Sequence, residues 1–69
     1  MYSHQVESSV VAQLGYDEVT GDLWVMLNSG REYVYTGVPQ ADFEEFVAAP
    51  SKGVFYNQRI KPVYPWRTP

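Results

Sequence analysis

Residues 23–36 read LWVMLNSGREYVYT, and this stretch decides the fold. Two runs rich in β-branched and aromatic residues flank a three-residue connection that ends in Gly30, which is typical of a β-hairpin with glycine at the bulge position. The predicted register pairs Leu27 with Arg31, Val25 with Tyr33, and Leu23 with Tyr35. A two-residue loop would instead move every side chain to the opposite face, because side chains alternate along a strand.

The predicted hairpin has two chemically different faces. One face carries Leu23, Val25, Leu27, Tyr33 and Tyr35, and the other carries Trp24, Met26 and Val34. If helices cover only the first face, Trp24 and Met26 form an exposed apolar patch. Such a patch more often marks a contact with another protein than one with nucleic acid.

The segments around the hairpin complete the predicted fold. Residues 8–16 are β-branched and apolar and predict a strand before the hairpin. Pro39 opens a helix over residues 40–49, in which Phe43 and Phe46 lie on one apolar stripe. Ser51 begins a shorter helix over residues 51–60. The sequence predicts an α+β domain over residues 1–69: a three-stranded antiparallel β-meander (8–16, 22–28, 31–37), then two short helices packed on one face, with a frayed lead-in (1–6) and a proline-rich extended tail (62–69).

Composition excludes several classes of protein. The 69 residues allow one small domain, and an apolar content of 45% with 16% aromatic residues is too high for a disordered chain. The absence of cysteine excludes disulfides and thiolate metal sites. The longest apolar run is far shorter than a membrane span, and the first residues resemble no secretory signal, so we expect a cytoplasmic protein without a membrane partner.

Charge is distributed unevenly along the chain. The net charge is −3, yet residues 1–50 carry eight acidic residues against one basic residue, whereas residues 51–69 carry four basic residues and no acidic one. Such asymmetry points to an anionic partner. The alternative interpretation is that the basic tail neutralises the acidic body of its own fold.

The residue types that usually carry catalysis are sparse. His4 is the only histidine and has no partner nearby in sequence, and Ser8 and Ser9 have no adjacent base. No metal-ligand spacing or phosphate-binding glycine loop is present, so we expect neither an enzyme nor a cofactor or metal. An acid-catalysed hydrolase would require the fold to place two carboxylates in one pocket.

The C-terminal third interleaves cations with aromatic rings, which is the mixture that single-stranded nucleic acid requires. The candidate phosphate contacts are Lys52, Arg59, Lys61 and Arg67. The candidate stacking rings are Tyr56, Tyr64 and Trp66, together with Tyr35. The alternative is that these rings fill the core, since tyrosine often packs inside while its hydroxyl stays polar.

Several stretches resemble the KTSC domain, a short module named for its place at the C-terminus of some lysyl-tRNA synthetases. The resemblance covers about residues 6–64. Its more specific parts are the central Tyr33-Val34-Tyr35 and the SKGVFYNQRI stretch of residues 51–60. It implies a bacterial or phage cytosolic protein and suggests RNA binding.

Two functions therefore follow from the sequence. The first is a non-catalytic module that binds RNA, including tRNA, or single-stranded nucleic acid through the basic and aromatic surface of residues 51–67. The second is a protein-interaction module, including a homodimer, that uses Trp24 and Met26 or a free edge strand.

Overall fold

The computed structural model describes the backbone of residues 2–5 and the complete residues 10–69. The first two positions of the predicted strand over residues 8–16, and the side chains of His4, Ser8 and Ser9, lie outside the described residues. The elements in chain order are β1 (Tyr2–Gln5), β2 (Val11–Asp17), β3 (Asp22–Leu27), β4 (Glu32–Tyr35), α1 (Gln40–Ala48), α2 (Lys52–Phe55), a π-helical turn (Tyr56–Ile60) and β5 (Trp66–Arg67).

The described strands form one antiparallel sheet in the order β1-β2-β3-β4-β5, so each strand pairs with the next. The three predicted meander strands correspond to β2, β3 and β4, and the two predicted helices follow them. The α+β prediction is therefore confirmed, with one strand added at each edge of the meander. Among the described helices, none combines the length and apolar character needed to cross a bilayer.

The hairpin between β3 and β4 has the predicted register. Leu23 pairs with Tyr35, and Val25 pairs with Tyr33. In the turn, the Gly30 N–H donates to the Leu27 carbonyl and the Leu27 N–H donates to the Arg31 carbonyl, each at 2.9 Å. Gly30 has φ +93°, the left-handed conformation that a three-residue loop of this kind requires.

The core lies between one face of the sheet and the helices. Tyr16, on β2, stacks on Phe43 of α1 with ring centroids 4.7 Å apart, and its hydroxyl donates to the Val38 carbonyl at 2.6 Å. The core residues are Val11, Leu14, Tyr16, Leu23, Val25, Tyr35, Val38, Phe43, Phe46, Tyr56 and Ile60. The apolar side of α1, which carries Phe43 and Phe46, therefore faces the sheet as predicted.

The second helix changes its hydrogen-bonding pattern half-way. Ser51 begins it as predicted, because its hydroxyl accepts a hydrogen bond from the Val54 N–H at 3.3 Å. Beyond Phe55 the chain continues as a π-helical turn, in which the Lys61 N–H donates to the Tyr56 carbonyl at 2.9 Å. This turn buries both Tyr56 and Ile60 against the core, and π-helical turns are frequent at functional sites.

The structure differs from the prediction at both chain ends. The predicted lead-in contains β1, which pairs with residues 13–16 of β2. In the predicted extended tail, Trp66 pairs with Tyr35 and Arg67 pairs with Val34. Proline lacks only the N–H donor, so Pro65 still accepts a hydrogen bond from the Thr36 N–H at 3.0 Å. The two residues after it carry their own donors and can pair.

Candidate functional site

A groove of about 400 Å³ opens on the core face of the sheet, beside the π-helical turn. Aromatic, cationic and uncharged polar side chains all line it. The lining residues are Val10, Leu27, Ser29, Arg31, Tyr33, Tyr35, Tyr56, Asn57, Lys61 and Trp66. Sites that bind small ligands commonly measure about 300–1,000 Å³, so this groove has the size of a compact ligand or of one unit of a chain.

The aromatic wall of the groove follows from strand pairing. Tyr33 and Tyr35 lie two positions apart on β4 and therefore share a face of the sheet. Trp66 lies directly opposite Tyr35 on β5, so its indole is on the same face. The Tyr33 and Trp66 rings meet edge to face with centroids 4.8 Å apart, and Trp66 remains 54% exposed.

The charged groups of the groove are both cationic. Arg31 follows the glycine of the hairpin turn, and Lys61 follows the π-helical turn. Both side chains are exposed, and neither forms an ion pair with a described residue. No described Asp or Glu lines the groove. The groove is therefore a local positive site on a chain whose net charge is −3.

Two of the residues that line the groove are buried tyrosines whose hydroxyls bond to each other. Tyr35 is 1% exposed and Tyr56 is 3% exposed, and their hydroxyl oxygens are 2.5 Å apart. Burial and the hydrogen bond to Tyr56 raise the pKa of Tyr35 well above its usual range. Burial also raises the pKa of Tyr56, although its bond to Tyr35 acts in the opposite direction. Both phenols therefore keep their protons at neutral pH.

Three of the four predicted phosphate contacts already have partners within the chain. The Arg59 guanidinium lies 3.0 Å from the Glu45 carboxylate and 5.0 Å from the centre of the Phe55 ring. Arg67 lies 3.3 Å from Asp22. The Lys52 ammonium donates to the Ala49 carbonyl at the end of α1, at 2.5 Å. The two arginines thus adopt the arrangement that self-neutralisation predicts, and Lys61 is the predicted cation that reaches the groove.

The predicted stacking rings also separate into two groups. Tyr35 and Tyr56 are core residues whose rings pack against other side chains, and a nucleic-acid contact at either one stays a prediction. Tyr64 is partly buried, and its hydroxyl donates to the Asp42 carboxylate. That hydrogen bond, together with burial, raises the pKa of Tyr64 to about 12. Trp66 is the predicted ring that is both exposed and inside the groove.

The predicted protein-contact residues lie on the opposite face of the sheet. Trp24 and Met26 are partly buried rather than open, because the Trp24 indole lies against β4 and donates to the Glu32 carboxylate at 2.9 Å. The most exposed large apolar residues in the described part of the chain are elsewhere, at Val19, Val63, Trp66 and Val54. The apolar patch predicted at Trp24 and Met26 is therefore only partly exposed, and its role in a protein contact stays a prediction.

Carboxylates are not brought together in the grooves. A second groove, of about 320 Å³, is lined by Ala49, Pro50, Ser51, Val54, Phe55, Gln58 and Arg59, again without Asp or Glu. Among the described residues, no cluster of His, Asp and Glu side chains is suited to hold a metal ion. The hydrolase alternative therefore lacks the carboxylate pair that it requires in these two grooves.

Sequence reasoning missed Arg31 and Tyr33 as groove residues. Arg31 is the only basic residue in the acidic part of the chain and follows the turn glycine directly, so its isolation was a usable signal. Tyr33 and Tyr35 share a face of the predicted hairpin, so strand alternation alone does not distinguish their roles. The π-helical turn covers Tyr35 with Tyr56 and leaves Tyr33 to contact Trp66.

Comparison with known proteins identifies the family of this chain. The KTSC domain model matches residues 7–64. The chain belongs to the KTSC domain family. The crystal structure of a KTSC domain protein from Yersinia pestis superimposes with a TM-score of 0.93 at 31% identity, covering 99% of this chain and 96% of that one.

Two relatives show that the KTSC domain occurs in chains of different length. A lysine–tRNA ligase from Nostoc punctiforme is 40% identical over 55 residues, which is 80% of this KTSC domain but only 10% of the ligase. A protein from Tsukamurella paurometabola is 39% identical over 57 residues, covering 83% of this chain and 85% of that protein. The family match includes Arg31, Tyr33 and Lys61 but ends before Trp66.

Proposed function

We propose that this KTSC domain is a non-catalytic module that binds single-stranded nucleic acid, RNA in the first place, through the groove beside the π-helical turn. The observation that carries the proposal is the placement of Arg31 and Lys61, two cations with no ion-pair partner among the described residues, beside the exposed ring of Trp66 in one groove. Such a combination suits a ligand that carries phosphates and flat bases.

The two parts of the groove have separate roles in this proposal. Arg31 and Lys61 attract phosphates, and binding releases the counterions that the phosphates carried. Trp66 offers a face for stacking, which contributes about 1–3 kcal/mol per base. Bases in a duplex are already stacked on one another, so a stacking site favours a single strand. Because the chain as a whole is acidic, we expect nucleic acid to bind at this groove and not over the rest of the surface, and we expect the affinity to fall as the salt concentration rises.

The family supports RNA among the possible nucleic acids. The relative from Nostoc punctiforme is a lysine–tRNA ligase, and the segment similar to this KTSC domain occupies a tenth of it. By its name that enzyme acts on tRNA. A small basic groove attached to such an enzyme would add a contact to an RNA that is already bound, which increases the overall affinity by effective concentration.

Fluorescence anisotropy of a labelled RNA octamer tests the proposal, with single-stranded DNA and duplex RNA of matching sequence as comparisons. We expect the single-stranded RNA to bind best, and we expect log K to fall against log salt with a slope of about −1.4, as two phosphate contacts on a single strand require. Replacing Trp66→Ala should weaken binding about tenfold, by loss of one stacked base. Val63→Ala is the matched control, because Val63 is 58% exposed on the same tail and lies outside the groove.

Two results would contradict the proposal. One is an affinity that stays constant between about 50 and 300 mM salt, because phosphate contacts must depend on salt. The other is a loss on Trp66→Ala no larger than that on Val63→Ala. If no nucleic acid binds and the sedimentation mass rises with protein concentration until Trp24→Ala prevents it, the protein-interaction alternative replaces this proposal.

A further inference from the structure

Tyr35 and Tyr56, which both line the groove, have one more hydroxyl hydrogen than the bond between them uses. Each phenol has one O–H donor, so Tyr35 and Tyr56 together have two hydrogens. The hydroxyl oxygens are 2.5 Å apart, and one bond between them uses a single hydrogen, whichever phenol donates it. Neither hydroxyl has another hydrogen-bond acceptor among the described residues. Among the described residues, one of the two hydroxyl hydrogens is therefore without an acceptor.

The two phenols that carry this donor are held in fixed positions beside the groove. Both phenols are at least nine-tenths buried, yet both line the groove. The Tyr35 ring meets the Tyr56 ring edge to face at 5.8 Å, and Phe46 lies along Tyr56 at 6.5 Å, so neither ring is free to turn away. A donor that is fixed and poorly solvated discriminates strongly between ligands that offer an acceptor and ligands that do not.

The same groove already provides for the other parts of a nucleotide. Arg31 and Lys61 suit the phosphate, and Trp66 suits the face of the base. A base also presents carbonyl oxygens and ring nitrogens along its edge, which are acceptors. A volume of about 400 Å³ is near the lower end of ligand sites and suits a single nucleotide better than several.

We infer that the Tyr35–Tyr56 hydroxyl pair is the base-reading element of the groove, donating a hydrogen bond to an acceptor on the edge of one unstacked base. This inference rests on the proposed function and deepens it: the groove takes one nucleotide, its base against Trp66 and its base edge toward the two phenols. Phosphates on either side of that nucleotide are bound by charge alone.

Two probes of equal charge separate base reading from phosphate binding. The first is single-stranded hexauridylate, and the second is a hexamer of abasic ribose phosphates. We expect the unchanged domain to prefer hexauridylate. In the double variant Tyr35→Phe with Tyr56→Phe, we expect affinity for hexauridylate to fall roughly tenfold, as loss of one buried hydrogen bond implies, while affinity for the abasic hexamer stays the same.

Matched variants show that the effect belongs to this pair. Removing both hydroxyls together leaves no unpaired polar group, so the double variant should keep the fold, and its thermal unfolding curve checks this. Tyr16→Phe removes another buried phenol, one that donates to Val38 outside the groove, and should leave affinity for both probes unchanged.

The possible failures are distinguishable. If the double variant binds hexauridylate as well as the unchanged domain does, or loses affinity equally for both probes, base reading is wrong while salt-dependent nucleic-acid binding stands. If the unchanged domain binds neither probe at low salt, the proposed function fails and the inference fails with it.

Discussion

Two pairs of cationic side chains in this KTSC domain differ in what surrounds them. Arg59 and Arg67 each lie beside a carboxylate of the same chain, Glu45 and Asp22 respectively. Arg31 and Lys61 have no described acidic partner and flank a groove with exposed aromatic surface. The comparison shows that a basic segment does not define a binding surface. A cation is available to a ligand only where the fold has not already given it a partner.

The first prediction has the largest expected effect and tests the comparison directly. Replacing Arg31→Ala and Lys61→Ala together should reduce affinity for single-stranded RNA roughly a hundredfold at low salt, because two charge-assisted contacts of about 1.5 kcal/mol each are lost. The slope of log K against log salt should also decrease in magnitude by about 1.4. Anisotropy over a salt series measures both quantities.

Replacing Arg59→Ala and Arg67→Ala together is the matched control, because it removes the same charge. We expect the affinity to fall less than about threefold, through the general field alone. If this control weakens RNA binding as much as Arg31→Ala with Lys61→Ala does, the proposed difference between the two pairs of cations is wrong. Equal losses would mean that total charge, and not the absence of a partner, determines which cations contact phosphate.

The second prediction concerns the tail that carries Trp66 into the groove. The Tyr64 hydroxyl donates to the Asp42 carboxylate, which fastens the tail to α1, and the pKa of Tyr64 is raised from 10.0 to about 12. The folded chain therefore holds this proton where the unfolded chain has released it. The resulting stabilisation is fully present below about pH 10 and is lost as the pH rises through about 12.

Urea unfolding at several pH values from about 8 to 11, followed by circular dichroism, measures this dependence. We expect the free energy of unfolding to fall above about pH 10, and to fall less steeply in Tyr64→Phe, which has no proton to lose at this position. The buried phenols of Tyr16, Tyr35 and Tyr56 have raised pKa values as well, so some dependence should remain in the variant. Identical slopes in the two proteins would show that Tyr64 does not fasten the tail.

Local sequence was sufficient for the hairpin because its signals lie within a few residues of one another. The glycine at position 30, the alternation on either side of it and the resulting pairing of Val25 with Tyr33 all follow from turn chemistry and strand periodicity. The start of the second helix at Ser51 was predictable for the same reason, since one hydroxyl caps a backbone N–H three residues later.

The site was less predictable because it depends on contacts between distant residues. Arg67 and Asp22 are 45 positions apart, and no local pattern connects them. Tyr33 and Tyr35 are equivalent by strand periodicity, and only the π-helical turn, which brings Tyr56 over Tyr35, separates a groove wall from a core residue. The sequence identified the kinds of group needed for binding, whereas tertiary packing decided which of them are available.

The third prediction has the smallest expected effect and tests whether the two pairs of cations differ in their contribution to the free energy of unfolding. Arg59→Gln should lower the free energy of unfolding by about 1 kcal/mol, because Arg59 loses both an exposed ion pair and its contact with the Phe55 ring. Arg67→Gln should cost only about 0.3 kcal/mol, since it loses an exposed ion pair alone. Arg31→Gln and Lys61→Gln should cost nothing measurable, because neither side chain has a described ionic partner to lose. Urea unfolding at neutral pH resolves the loss expected for Arg59→Gln and sets an upper limit on the losses for the other variants.

A destabilisation by Arg31→Gln as large as that by Arg59→Gln would contradict the comparison. It would mean that Arg31 already makes a stabilising contact within the folded chain, so that it would not differ from Arg59 in being available to a ligand.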